Sequence, residues 1–426
     1  MPAPLPPPPL SSDAVADAPS EQIVSGPGHR LRLTLLMAGA CLPILGAVLI
    51  APVLPKMHDH FAQVAGVDAL VPMALTIPAL SLALLAPFAG VVVDRLGRKR
   101  LLIVSTVVYA MFGTAPLWLN SLGAIVASRA LVGVAEAAIM TCSTTLIGDY
   151  YTGRQRDRYL AMQTMCASIS ATAFFILGGA IGSAGWRAPF WAYAVSLLLA
   201  PAVAAFLPQP RQEDGADEVP ATASDTADRP FPWRPLFGTC ALTVFGALLF
   251  YTVQVEMSFL LDDMGVTDTG VIGLASAGSS AAIVAGALLF AKTGRTPQSW
   301  LPSAFGLCAV GFAVVWLAAN PLVLTLGAVI NCLGGGIMLP SLLTLAMSRL
   351  HFADRGRGTG LWTGSFFLGQ FLCPLVVLAL TSAVGSTANS MGVLALSGAV
   401  ASVALGLAAR RRRAGAVPAP VQQIAG

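Results

Sequence analysis

The chain has 426 residues, of which 56% are hydrophobic and only 10% are charged. Soluble proteins carry about 25% charged residues, so this composition excludes a soluble globular protein and indicates an integral membrane protein. The net charge of +4 does not indicate nucleic-acid binding.

Residues 1–30 are rich in proline and small polar residues and contain no long apolar run. Such a segment cannot bury a core, which predicts a disordered cytoplasmic tail. It also lacks the early apolar stretch of a cleavable signal peptide. The first apolar run is therefore expected to direct membrane insertion.

Twelve apolar runs follow, and each approaches or exceeds the ~20 residues that a membrane-spanning helix needs. They lack the short alternation of barrel strands, which predicts an all-α membrane protein with twelve transmembrane helices. The runs cover residues 32–54, 69–93, 100–118, 122–148, 159–182, 188–207, 237–261, 269–291, 300–318, 321–347, 357–380 and 389–409. The polar, acidic stretch 208–235 divides them six and six. We therefore predict two six-helix bundles at 31–207 and 236–410, a cytoplasmic linker at 208–235 and a cytoplasmic tail at 411–426.

Residues 90–100 interrupt the apolar pattern between the second and third runs with one acid and four bases. A segment with this charge cannot lie in hydrocarbon, so it predicts a tight loop at the membrane surface. The bases favour the cytoplasmic side. Asp94 is unexpected in a pure topology signal, which needs only positive charge.

Arg129 and Glu136 lie inside the fourth run. Charged residues within a membrane cost about 2.5–3.5 kcal/mol on insertion scales and are candidates for function. Seven residues make close to two helical turns, so both side chains are expected on one face of the helix. In one interpretation Glu136 carries protons and Arg129 tunes its affinity for them; in the other the two residues clamp helices together.

The second half contributes Glu256 in the seventh run, near its outer end. It is predicted to be a second proton-binding site, a contact for a cationic substrate, or an interfacial acid in contact with water. Other polar or aromatic residues inside runs are candidates for the substrate path; the alternative is bonding between helices for the amides and core packing for the aromatic residues. These are Tyr251, Gln254, Asn331, Phe367 and Gln370.

Most of the 24 lysines and arginines fall in segments that lie on one side of the membrane when the twelve runs alternate in direction. This asymmetry predicts that both termini are cytoplasmic. The seven cysteines lie inside apolar runs without C-x-x-C spacing, so neither disulfides nor metal ligands are expected. No metal site or cofactor is predicted, since His58 and His60 lack a third ligand.

Gly90, Asp94, Arg95, Gly97 and Arg98 occur in the order in which the major facilitator superfamily of transporters places them in its loop 2–3 signature. The chain resembles this superfamily along its whole length. Further matches are Arg129-Ala-Leu-Val-Gly133 in the fourth run, Gly185-Trp186-Arg187 before the sixth, and Phe367-Leu368-Gly369-Gln370-Phe371 in the eleventh. Gly178, Gly179 and Gly182 match the antiporter pattern of the fifth helix, whose proline this chain lacks.

The resemblance implies a bacterial inner-membrane permease of the drug or sugar efflux type, with the substrate site between two repeats near the membrane midplane. It also implies that the residues of the loop 2–3 signature form a cytoplasmic gate, in which Asp94 accepts hydrogen bonds from the start of the eleventh helix.

We therefore expect a secondary transporter that exports a small organic molecule or drug in exchange for protons, acting as a monomer and without enzymatic activity. The alternative is proton-coupled uptake of a small nutrient such as a sugar or an organic acid. The sequence contains no nucleotide-binding loop that would indicate direct use of ATP.

Overall fold

A computed structural model describes residues 28–208, 233–348, 350 and 354–415. The side chains at positions 91, 94, 234, 235, 355 and 412–415 lie outside this description. The described residues are helical and contain no strand. The first seven helices are α1 His29–Val48, α2 Leu54–His60, α3 Val67–Leu85, α4 Ala89–Leu96, α5 Arg98–Thr114, α6 Leu122–Tyr150 and α7 Gly153–Gly182. The others are α8 Ser196–Phe206, α9 Trp233–Asp263, α10 Thr269–Thr293, α11 Pro297–Trp316, α12 Pro321–Met347, α13 Arg355–Val384 and α14 Thr387–Gly415.

Within the described chain, 12 helical segments are long and apolar enough to cross a membrane. The first span, His29–His60, joins α1 and α2 through a short 3₁₀ turn, and the sixth span, Ala188–Phe206, joins a 3₁₀ helix to α8. Helix α4 is too short to span. The prediction of an all-α protein with twelve transmembrane helices is confirmed. The predicted tails and linker fall largely on residues outside the described ranges, so their boundaries stay predictions.

Capping side chains help to define where two spans begin in the second half. The carboxylate of Asp268 accepts hydrogen bonds from the backbone N–H groups of Gly270 and Val271, at 2.7 and 3.3 Å. Asn320 accepts one from Val323 at 3.0 Å, next to Pro321 in the first turn of α12. Each cap satisfies N–H groups that have no partner within the helix.

Each half of the chain packs mainly with itself. In the first half α6 packs against α1, α3 and α5, and in the second half α12 packs against α9, α10 and α11. The two halves meet along two seams, one between α7 and α10 and one between α3 and α13. These seams enclose the space between the halves.

The seam between α7 and α10 is a contact of backbone against backbone. A Cβ atom on Gly179 would overlap the carbonyl oxygen of Thr269 and would lie 2.9 Å from Cα of Gly273. A Cβ atom on Gly273 would lie 2.6 Å from the carbonyl oxygen of Phe175. Only glycine allows helices to approach this closely.

The charged segment at residues 90–100 differs from the predicted tight loop. The second span ends at Leu85 instead of residue 93, and Ala89–Leu96 forms the short helix α4. Gly97 then reverses the chain with φ of +80°, and α5 begins at Arg98. Most of the described side chains of α4 are exposed, which places this helix at the surface of the bundle.

Candidate functional site

Arg129 is fully buried in α6 and joins three helices. Its Nε donates a hydrogen bond to the carbonyl oxygen of Ala74 in α3 at 3.2 Å, and Nη2 donates one to that of Gly46 in α1 at 2.9 Å. Its Cζ lies 4.9 Å from the ring centroid of Tyr193, a distance typical of a cation–π contact. The guanidinium is thus held by backbone carbonyls and one aromatic ring.

Glu136 lies two turns further along α6 and is 1% exposed. Its Oε1 has no hydrogen-bond partner among the described residues. The carboxyl group lies against Gly46, where an added Cβ would overlap Oε1 and lie 3.0 Å from Cδ. The hydroxyl of Tyr109 lies on the same side of α1 and donates to the carbonyl oxygen of Leu42 at 2.7 Å.

Arg129 and Glu136 both reach Gly46 from one helix, as their spacing of seven residues predicts. No ion pair joins them in the described structure, and Nη1 of Arg129 and Oε1 of Glu136 both lack a hydrogen-bond partner there. Glu136 is therefore a buried carboxyl group whose charge is not neutralised by a directly bound partner. A carboxyl group buried in this way within a membrane span is a candidate for function.

Glu136 also lines a cavity of about 280 Å³ between the two halves. The first half contributes α1, α3, α6 and α7 to its wall, and the second half contributes α9, α10, α12 and α13. Tyr251, Phe366 and Phe367 form an aromatic group on this wall, with ring centroids 5.5 Å apart for Tyr251 and Phe366 and 5.3 Å apart for Phe366 and Phe367. The amide of Gln370 lies beside them, and its Oε1 has no partner in the described chain.

The structure thus brings Glu136, Tyr251, Phe367 and Gln370 together around one cavity. Its aromatic surface suits a flat or apolar molecule, and its few polar atoms can orient that molecule. We call it the central cavity.

Other predicted site residues lie elsewhere. Asn331 is fully buried between α11 and α12, where its Nδ2 donates to the carbonyl oxygen of Cys308 at 3.3 Å. Its contact is therefore one between helices and not one on the wall of the central cavity. Gln254 is partly buried in α9 and does not line this cavity, and its Nε2 has no partner among the described residues. Glu256 lines a separate cavity.

The residues of the predicted gate lie at the junction of α4 and α5. Arg98 binds the carboxylate of Asp149 at the end of α6, and this ties the start of the third span to the fourth. Arg95 is exposed, and nothing lies within 4 Å of a Cβ placed on Gly90. The side chain of Asp94 lies outside the described part of the structure, so its role in the gate stays a prediction.

The first turns of the eleventh span lie close to the residues that precede α4. A Cβ on Gly360 of α13 would lie 3.2 Å from the carbonyl oxygen of Ala86, which precedes α4 by a few residues. One turn further along α13, a Cβ on Gly364 would lie 2.9 Å from the carbonyl oxygen of Ala83. The start of the eleventh span therefore lies against Ala83, Ala86 and Pro87, just before the segment that contains the predicted gate, and its contact with the gate residues themselves stays a prediction.

Sequence reasoning missed several residues that complete the site. The carboxyl group of Glu136 packs against Gly46, near the hydroxyl of Tyr109, and the guanidinium of Arg129 packs against the ring of Tyr193. The ring centroids of these two tyrosines are 5.2 Å apart, and both are fully buried. A tyrosine in the middle of an apolar run was the available signal, because its hydroxyl needs a hydrogen-bond partner there.

Comparison with known proteins agrees with this architecture. The sequence profile of the Major Facilitator Superfamily matches residues 36–353. The tetracycline resistance protein of class C from Escherichia coli is 26% identical over 376 residues, which cover 84% of this chain and 92% of that protein. The gallate transporter of Pseudomonas putida is 26% identical over 385 residues, covering 80% and 84% of the two chains.

Among solved structures, a bacterial homolog of the human lysosomal transporter Spinster, in an inward-facing and occupied conformation, has the same fold. It superposes with a TM-score of 0.73 at 15% sequence identity and covers 91% of this chain and 98% of its own. The profile match spans most of the described helices of both halves. The chain therefore belongs to the Major Facilitator Superfamily of transporters and is a multi-pass membrane protein.

Proposed function

We propose that the protein exports a small organic molecule in exchange for protons, by alternating access of the central cavity to the two sides of a bacterial cytoplasmic membrane. In this mechanism Glu136 takes up a proton from one side and releases it on the other. The single observation that supports proton coupling most strongly is the buried Oε1 of Glu136, which has no partner in the described chain and lies at the cavity wall.

Arg129 has a positioning role in this proposal. It holds α1 and α3 against α6 through two backbone carbonyls, and one of these belongs to Gly46, on which Glu136 lies. Arg129 therefore helps to keep the carboxyl group of Glu136 in place.

Two relatives support export. One is named for tetracycline resistance, and another, from Bacillus subtilis, is named a multidrug resistance protein. The aromatic wall of the central cavity also suits flat or apolar molecules more than sugars, which need many hydrogen-bonding groups.

A second candidate is proton-coupled uptake of a small nutrient, and the observation in its favour is the likeness to a gallate transporter along most of the chain. The two candidates differ in the direction of net movement. Export lowers the amount of compound inside cells that express the protein, whereas uptake raises it.

The test of proton coupling uses inverted membrane vesicles that contain either the natural protein or the Glu136→Gln variant. Vesicles are energised, candidate compounds are added, and proton movement is followed with a pH-sensitive dye. We expect compound-induced proton release from natural vesicles and none above protein-free vesicles for the variant, because the amide cannot carry a proton. Asp157→Asn, an exposed position at the start of α7, is the charge-matched control and should behave as the natural protein.

Proton release that is unchanged in Glu136→Gln, at equal protein abundance, would remove Glu136 from the mechanism. Compound accumulation measured in the same vesicles gives the direction of transport. Accumulation inside inverted vesicles means export from cells, and depletion means uptake.

A further inference from the structure

A second cavity, of about 430 Å³, lies between the two halves at the end of the molecule opposite α4. We call it the acidic cavity, because five carboxyl groups line it. They belong to Asp59, Asp68, Glu256, Asp262 and Asp263. The one basic side chain on the wall is the imidazole of His58, whose Nε2 lies 2.9 Å from Oδ1 of Asp68.

The carboxyl groups come from both halves. Asp59 and Asp68 belong to α2 and α3, whereas Glu256, Asp262 and Asp263 belong to α9. Bringing the halves together at this end therefore brings like charges together, and these repel one another. His58 supplies at most one compensating charge, which leaves the cavity strongly negative.

Among these five carboxyl groups, Glu256 gives the strongest indication that the cavity binds a ligand. It is 6% exposed, and its side chain forms no hydrogen bond or ion pair with any residue that the structure describes. A carboxyl group is costly at such a depth unless a partner compensates it. Its place on the wall makes the contents of the cavity the available partner.

The shape and lining of the cavity decide which cation fits. In the described chain no group of three or more His, Cys, Asp or Glu side chains is arranged to hold a metal ion. The volume lies within the range of about 300–1,000 Å³ that is usual for small-molecule sites and far exceeds a bare ion. Part of the wall is apolar, including Pro72, Val377 and the ring of Phe259, and an aromatic ring attracts an organic cation to its face.

We propose that the acidic cavity binds a lipophilic organic cation, such as a quaternary ammonium or phosphonium ion, with Glu256 as the buried group that recognises its charge. This inference rests on the proposed transport function: it gives that function a substrate class and adds a second site beside the central cavity. The cation carries the positive charge that allows the two acidic walls to approach, while its apolar part contacts Phe259 and the neighbouring aliphatic residues.

Binding of radiolabelled tetraphenylphosphonium to the purified full-length protein, measured by equilibrium dialysis in detergent, tests the inference. Triphenylphosphine oxide serves as an uncharged competitor of similar shape. We expect tetraphenylphosphonium to bind and the uncharged compound to compete poorly. Glu256→Gln should weaken binding by about tenfold or more, because it removes a buried charged partner. Glu256→Asp, which keeps the charge, should lose less, and the Asp157→Asn control should bind as the natural protein does.

The double variant Asp262→Asn/Asp263→Asn provides a second measurement at the more exposed mouth of the cavity and should also weaken binding. Three results would overturn the inference: unchanged binding in both variants, equal competition by triphenylphosphine oxide, or binding that is lost in Glu136→Gln and retained in Glu256→Gln. The last result would place the cation in the central cavity. The dialysis experiment needs no proton gradient, so its failure leaves proton coupling by Glu136 to be judged by the vesicle assay alone.

Discussion

Gly46 is the residue at which the two buried charges of the first half meet. Its carbonyl oxygen accepts a hydrogen bond from Arg129 at 2.9 Å, and its Cα leaves room for the carboxyl group of Glu136. A side chain at this position would occupy the space of Oε1. The absence of a side chain at Gly46 therefore sets the position of the carboxyl group that we propose to carry protons.

Gly46→Ala should impair transport with little loss of stability. The new methyl group meets the far end of a flexible side chain, so Glu136 is expected to move while the backbone stays in place. We expect the unfolding temperature in detergent to change little, since the helix also gains about 0.8–1.0 kcal/mol of propensity when alanine replaces glycine. Compound-induced proton movement in vesicles should fall clearly below that of the natural protein.

Gly278→Ala is the matched control, because nothing lies within 4 Å of a Cβ at that position of α10. It should leave transport unchanged and alter stability only by the same small gain in helix propensity. Normal transport by Gly46→Ala would show that the position of the Glu136 carboxyl group is not critical.

At the scale of residues, the sequence predicted the positions of the buried charged residues better than it predicted the residues that surround them. The spacing of Arg129 and Glu136 placed both on one face of a helix, and the structure agrees. Gly46 and Tyr193 could not be predicted in the same way, because they approach α6 from separate helices. Contacts of this kind depend on tertiary packing, which has no local signal in the sequence.

At the scale of elements, the backbone contact between α7 and α10 joins the two halves most closely. Gly179 and Gly273 face each other there, and the hydroxyl of Thr172 donates to that of Ser280 at 3.3 Å, two turns away on α7. The glycines of α7, the fifth span, could be identified from the sequence as part of a family pattern. Gly273 of α10, the eighth span, could not be identified as their partner, because the pattern describes only one helix.

Gly179→Ala should destabilise the protein, in contrast to Gly46→Ala. Its new methyl group would meet the carbonyl oxygen of Thr269 and Cα of Gly273, both of which are backbone atoms that cannot turn aside. Overpacking of this kind costs about 1–3 kcal/mol. Thermal unfolding in detergent should show a clear decrease in midpoint relative to Gly278→Ala, and an equal midpoint would mean that the seam tolerates a wider separation.

The α4 segment shows where reasoning from composition fails. Residues 89–93 are apolar enough to be assigned to the second span, yet the structure ends that span at Leu85 and turns the chain into a surface helix. The ends of a span depend on where neighbouring helices and the membrane surface lie. Apolar content alone therefore placed the span correctly and its end incorrectly.

At the scale of the whole molecule, the two ends carry opposite charge. The end at α4 contains Arg95, Arg98, Lys99 and Arg100, whereas the opposite end contains the acidic cavity. Positive residues are retained on the cytoplasmic side during insertion. We therefore predict that the end at α4 faces the cytoplasm, together with both termini.

Fusions to reporter proteins check this orientation. Alkaline phosphatase, which is active only outside the cytoplasm, should be inactive when fused after the last residue and active when fused after Gly265, between the seventh and eighth spans. Green fluorescent protein should give the opposite pattern. An active phosphatase at the C-terminus would reverse the orientation and exchange the two sides in the proposed mechanism.

The contact between α7 and α10 also has a mechanical consequence. Two helices that touch through bare backbone can rotate about their point of contact without changing side-chain rotamers, so this point can serve as a fulcrum. Gly179 lies within one turn of the end of α7, and most of the helix extends toward the basic end of the molecule. A lever with such unequal arms moves far at its long end and little at its short end. We therefore expect the basic end to move further between conformations than the end that contains the acidic cavity, although both ends must open in turn.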